Sequence, residues 1–156
     1  MAEIQFLRKL FDYDYWANLT ALDSLTPLEA GKPLDYFAHV LGASRIWLAR
    51  FSTADPKGID VWPKPTLAQC RDAVDELRQG WTAVLDRLTP EGLAQNLVYR
   101  NTKGVEFSTP IVDVLMHLVM HSAYHRGQVA SAVRAAGGKP ALTDYVAWVR
   151  QVGASG

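Results

Sequence analysis

Between Thr66 and Pro90 the apolar residues Cys70, Val74, Leu77, Trp81, Val84 and Leu88 follow one another at steps of four, three, four, three and four. That alternation tracks the ~3.6-residue turn of an α-helix. Thr66 stands where an N-cap belongs, and Pro90 and Gly92 end the pattern. A helix with one apolar stripe must bury it against other elements. The rest of the chain therefore has to supply partners.

It supplies them as further helices. From about residue 3 to 25, Phe6, Leu10, Tyr13, Ala17 and Ala21 share a face, and Pro27 and Gly31 then break the pattern. From about 34 to 53, Phe37, Val40, Leu41, Trp47, Leu48 and Phe51 form a broad stripe, with Ile46 off to one side. So apolar a helix predicts a central position, with surface to spare for an extra packing partner. Residues 54–65, with Pro56, Gly58, Pro63 and Pro65, read as a loop. Residues 96–108 read as two short extended pieces around a turn at Asn101–Gly104, which allows a minor hairpin before the last long helix. That helix opens at Thr109-Pro110, N-cap then proline, and stops near Ala136 at Gly137-Gly138. A short helix from about Asp144 to Val152 closes the chain. The fold predicted is all-α: a four-helix bundle with a short C-terminal helix, one domain over residues 1–156.

Composition narrows the function. Of 156 residues, 49% are hydrophobic and 21% charged, ordinary globular usage. Lys+Arg and Asp+Glu are both 16, without the basic excess of a nucleic-acid binder. Neither a signal peptide nor an apolar run of transmembrane length is visible, and the single cysteine, Cys70, excludes an intrachain disulfide. These features predict a cytoplasmic protein with no nucleic-acid or membrane partner.

Three of the four histidines, His117, His121 and His125, lie in one helical stretch at four-residue spacing. Side chains four apart share a face, so an adjacent pair can aim at one cation. All three cannot, because His117 and His125 stand about 12 Å apart along the axis. Helical angles favour His121 and His125, which flank the apolar face of Ile111, Leu115, Leu118, Val129 and Val133, with Gln128 beyond them; His117 lies further round. A further ligand must come from another element. His39 is the remaining histidine, and an Asp or Glu could take its place. His39 lies off the main stripe of its helix, on the side of Ala43 and Ile46, and Gly42 and Ala43 leave room there for a close neighbour or a substrate.

Other residues read as structural. Tyr13, Trp16 and Trp47 are expected in the core, Asp12 and Asp14 as solvated or capping charges, Arg126 with a structural partner, and Cys70 as an inert buried thiol.

Three stretches carry a family resemblance: Tyr13-Asp-Tyr-Trp-Ala-Asn18, Phe37-Ala-His39-Val-Leu and His121-Ser-Ala-Tyr-His-Arg-Gly-Gln128, with Gly137-Gly-Lys-Pro140 and Thr143-Asp-Tyr145 in the tail. In order and spacing the chain resembles the DinB family, the DinB/YfiT-like metalloenzymes. The resemblance implies a four-helix bundle, usually a homodimer, with one divalent metal ion, zinc or nickel, on three histidines. The family's ligand positions fall on His39, His121 and His125; His117 falls on a position that is often histidine but not usually a ligand.

Two classes of function follow from that resemblance. One is a metal-dependent enzyme acting on a small molecule. Better characterised relatives activate a low-molecular-weight thiol for S-transfer or isomerisation, while others are called hydrolases. Three protein ligands leave a coordination position open, as in catalytic zinc sites. No glutamate adjoins the histidine pair, which favours thiol transfer to an electrophile over hydrolysis. His117, Tyr124, Gln128 and Asn18 are the candidates for contacts around the ion or substrate. The other class is a non-catalytic metal-binding stress-response module, in which the ion ties two helices together.

Overall fold

The computed structural model describes residues 2–26, 28, 31–52 and 55–154. Its elements run α1 (Ala2–Asp23), α2 (Lys32–Phe51), α3 (Leu67–Arg87), α4 (Pro90–Leu93), β1 (Asn96–Arg100), β2 (Glu106–Pro110), α5 (Ile111–Ala135) and α6 (Tyr145–Ala154). The long helices α1, α2, α3 and α5 form the expected four-helix bundle. They pack as a ring: α2 lies against α5 and α3, and α1 against the same two helices. Pro27, the expected breaker after α1, lies outside the described residues, as does Thr53 at the far end of the second predicted segment. Among the described residues no helix is long and apolar enough to cross a membrane.

Local chemistry explains most of the boundaries. Thr66 caps α3 in a reciprocal box: its hydroxyl accepts from the Gln69 N–H at 3.2 Å, and the Gln69 side chain accepts from the Thr66 N–H at 2.8 Å. Gly31, at φ 96°, takes a left-handed conformation and starts α2 ahead of Pro33. The hairpin forms where the sequence allows it, with Leu97 opposite Thr109 and Tyr99 opposite Phe107. Its turn is closed by the Asn101 side chain, which accepts from the N–H groups of Lys103 and Val105 at 2.9 and 3.0 Å.

Three expectations need correction. Thr109 does not cap the last long helix. It belongs to β2 and pairs with Leu97, so Pro110 occupies the cap position and the first helical N–H, that of Ile111, donates to the Gln95 carbonyl at 2.8 Å. Pro90 and Gly92 end α3 but also make a helical turn of their own, α4, whose Gly92 N–H is held by the Thr89 hydroxyl at 3.1 Å. Phe6 is 51% exposed, because Ile4 and Leu7 take the buried positions at the start of α1.

The main core joins Leu7, Leu22 and Leu25 to Phe37 and Leu41 of α2, Cys70, Val74 and Trp81 of α3, and Leu115, Val129 and Val133 of α5. Cys70 is fully buried, and burial pushes its thiol up to about 11, an inert state. A smaller cluster of Leu10, Tyr13, Ala17, Val119 and Trp148 seats α6 on α1 and α5. Tyr13 is buried there and donates to the Thr143 carbonyl at 2.8 Å. Trp16 packs on this cluster and Trp47 on the main core, both partly buried.

Arg126 has its structural partner, and that partner corrects another expectation: Asp14 is neither solvated nor a cap. The Arg126 side chain is 1% exposed and pairs with the Asp14 carboxylate. It also donates to Asn18 Oδ1 at 2.8 Å, while Asn18 Nδ2 donates back to Asp14 at 3.0 Å. The trio locks α1 to α5. A buried charge that loses its partner is far costlier than the pair is stabilising. Asp14→Ala should lower stability to urea by about 3 kcal/mol, and an added Arg126→Leu should recover most of it, since no cation is then left buried.

Candidate metal centre

The two most extensively packed helices, α2 and α5, carry the histidines. His39 lies mid-way along α2 and is buried; His121 and His125 lie one turn apart on α5 and are half-buried. Their rings converge. The His39 and His125 centroids are 4.4 Å apart, His121 and His125 4.4 Å, and His39 and His121 5.3 Å. One nitrogen from each lies within 4.8 Å of the other two, and no carboxylate or thiol joins the group among the described residues. Zinc–nitrogen bonds of ~2.1 Å in a tetrahedron put ligand nitrogens about 3.4 Å apart. The three side chains therefore reach ion-binding separation by small rotations.

The outer nitrogens of His39 and His125 are already engaged. His39 Nδ1 is 2.9 Å from the Val61 carbonyl oxygen, which can only accept, so Nδ1 carries the proton and Nε2 offers its lone pair. His125 Nδ1 stands 2.6 Å from Gln128 Oε1, and with the amide in that orientation the same tautomer follows. An acceptor behind each ring is the arrangement that orients histidines on metals. Burial lowers the His39 pKa, opposed by the Val61 hydrogen bond and reinforced by His125. Burial, with the neighbouring histidines adding to it, pushes His121 down to about 4. Both are therefore neutral at pH 7, the form that binds a cation.

The Val61 carbonyl reaches His39 because position 42 has no side chain. A Cβ on Gly42 would stand 2.7 Å from the Asp60 and Val61 carbonyl oxygens and 2.9 Å from Pro63 Cδ. The room expected beside Gly42 is thus filled by the loop 60–63, which also lays Trp62 flat on His39, centroids 4.0 Å apart at 14°. Trp62 is a contact that sequence reasoning missed. The available signal was a tryptophan next to a proline in a short loop, opposite a glycine one turn from a histidine.

The remaining candidates divide. Gln128 holds His125. Tyr124 is 66% exposed and meets the His125 ring edge-on at 5.1 Å. His117 is exposed, 5.4 Å from His121 and 5.7 Å from Trp47, and stands outside the converging trio. Asn18 is used in the α1–α5 trio with Asp14 and Arg126. A cavity of about 210 Å³ between α1, α2 and α3, lined by Asn18, Ser44 and Trp81 among others, includes none of the four histidines.

A helical bundle with three convergent imidazoles, two of them held through Nδ1, is a chain whose side chains could hold one metal ion. The chain belongs to the DinB family, whose model matches residues 34–152 and so spans His39, the 60–63 loop and both α5 ligand candidates. It is similar to Protein DinB of Bacillus subtilis (strain 168), at 26% identity over 164 residues, covering 90% of this chain and 91% of the relative.

Two outcomes are expected. Gly42→Ala should cost roughly 1–3 kcal/mol through overpacking and shift Trp62 off His39, seen in near-ultraviolet circular dichroism. For His121, the unfolded chain takes up a proton as the pH falls through 6.5 while the folded side chain resists to about 4. Metal-free stability should therefore be complete above that range and fall through it, and His121→Gln should flatten the decline in urea titrations at successive pH values.

Proposed function

We propose that this protein is a metal-dependent enzyme in which His39, His121 and His125 hold one divalent ion, zinc or nickel, and that it transfers a low-molecular-weight thiol to a small electrophile. The observation that carries this reading is the convergence of three imidazoles, two of them tied through Nδ1 to Val61 and Gln128. Imidazole sets of this kind suit zinc and nickel, and three protein ligands usually leave a position for a substrate. When bound, the ion supplies a Lewis-acid position at which a thiol is held deprotonated near neutral pH.

The chain's own residues do the rest. Val61 and Gln128 fix the tautomers of His39 and His125. Trp62 covers one face of His39 and excludes water from it, while the exposed Tyr124 borders the opposite member of the trio. Among the described residues no carboxylate stands in the group to act as the base of a protease-like hydrolysis, which supports thiol transfer over that reaction.

Elemental mass spectrometry should find about one ion per chain in the native protein and close to none in His39→Ala and His125→Ala. Thiol conjugation of a chromogenic electrophile should be lost in the same variants. Full activity in His125→Ala, or no uptake of zinc or nickel by the native chain, would overturn the reading.

A further inference from the structure

Beyond the histidines, the last turns of α2, residues 55–59 and the hairpin enclose an open groove of about 840 Å³. That lies within the ~300–1,000 Å³ typical of small-molecule sites. Ile46, Ile59, Leu97 and the Tyr99 ring give it apolar walls. Arg50 is the cation built into it. The guanidinium is held between two rings, 4.3 Å from the centroid of Trp47 and 4.8 Å from that of Tyr99. Its Nη2 donates to the Arg100 carbonyl at 2.9 Å, and its Nε is buried with no acceptor among the described residues. A planar cation already fixed by stacking loses little freedom when an anion docks on it. Lys57 adds a second positive charge to the lining, whereas Arg100 is matched by Glu106 at 2.9 Å and Asp55 is the other carboxylate.

None of the histidines lines the groove, but both of its walls run on toward them. His39, Ala43, Ile46 and Arg50 fall on one stripe of α2, with Arg50 about 16 Å beyond His39. On the facing side the His117 ring bridges Trp47 and His121, at 5.7 and 5.4 Å. The segment that lines the groove at 55–59 continues directly into Val61 and Trp62 at His39.

We propose that the groove binds an elongated, largely apolar small molecule bearing one anionic group, with the anion on Arg50 and the other end directed along α2 toward the histidines. Anion recognition stands on the groove itself. The assignment of that molecule as a reactant of the metal centre rests on the function proposed above.

The test uses a fluorescent aromatic sulfonate, anilinonaphthalenesulfonate, and its uncharged parent, phenylnaphthylamine, titrated into the full chain with and without added zinc. The sulfonate should saturate one site and bind about tenfold tighter than the parent, the worth of one charge-assisted hydrogen bond. Arg50→Gln should erase that preference and leave binding of the parent unchanged. Lys57→Glu, at an exposed position, should weaken the sulfonate alone, and it decides the matter should Arg50→Gln fail to fold. Equal affinity for the two probes, or native sulfonate affinity in Lys57→Glu and in a folded Arg50→Gln, overturns the proposal. Sulfonate preference in a chain that takes up no metal would sink the metal reading and leave the groove standing; metal uptake without the preference would do the reverse.

Discussion

The seam between α2 and α5 is the constraint on which the rest depends. Phe37 and Leu41 on one side and Leu115, Val129 and Val133 on the other belong to one buried core. Burying side chains of this size contributes roughly 1.5–3 kcal/mol each. That contribution holds two helices from distant parts of the chain at a fixed separation and rotation. The histidines stand at the border of this seam. They are near enough to the apolar interior to be stripped of solvent, and near enough to the surface for a small molecule to reach them. The Arg126–Asp14–Asn18 trio fixes the remaining freedom of α5 by tying it to α1, one residue along from His125.

Much of this was legible because periodicity reports burial directly. The stripe at Cys70, Val74, Leu77 and Trp81 had one helical solution, and Thr66 announced its start. The pair His121 and His125 could be chosen over His117 from helical angles alone, since angle within one helix is set by local geometry. His39 was less legible: it sits off the main stripe of α2, and what brings it into the site is the partner helix, which no local pattern encodes. The family resemblance supplied that assignment, and the structure groups His39 with the α5 pair.

The failures share a cause. Asp14 looked like a surface charge because nothing near it in sequence shows that an arginine from α5 arrives beside it. Thr109 looked like a cap because Thr-Pro commonly starts a helix, yet its backbone is claimed first by the pairing with Leu97. The absent side chain at Gly42 was read correctly as space, but the occupant of that space was a backbone segment, which carries no side-chain signature.

The positions of the three histidines along the chain have a consequence for folding. His121 and His125 remain neighbours in any stretch of helix, even in a largely unfolded chain, whereas His39 joins them only when α2 and α5 have met. An ion held by all three therefore favours the folded state over the unfolded one, and at a free concentration a hundred times its dissociation constant the shift is about 2.7 kcal/mol. Whatever affinity the isolated α5 pair retains in the unfolded chain subtracts from that shift. On the proposed function, the melting temperature of the protein would be a readout of the free metal around it.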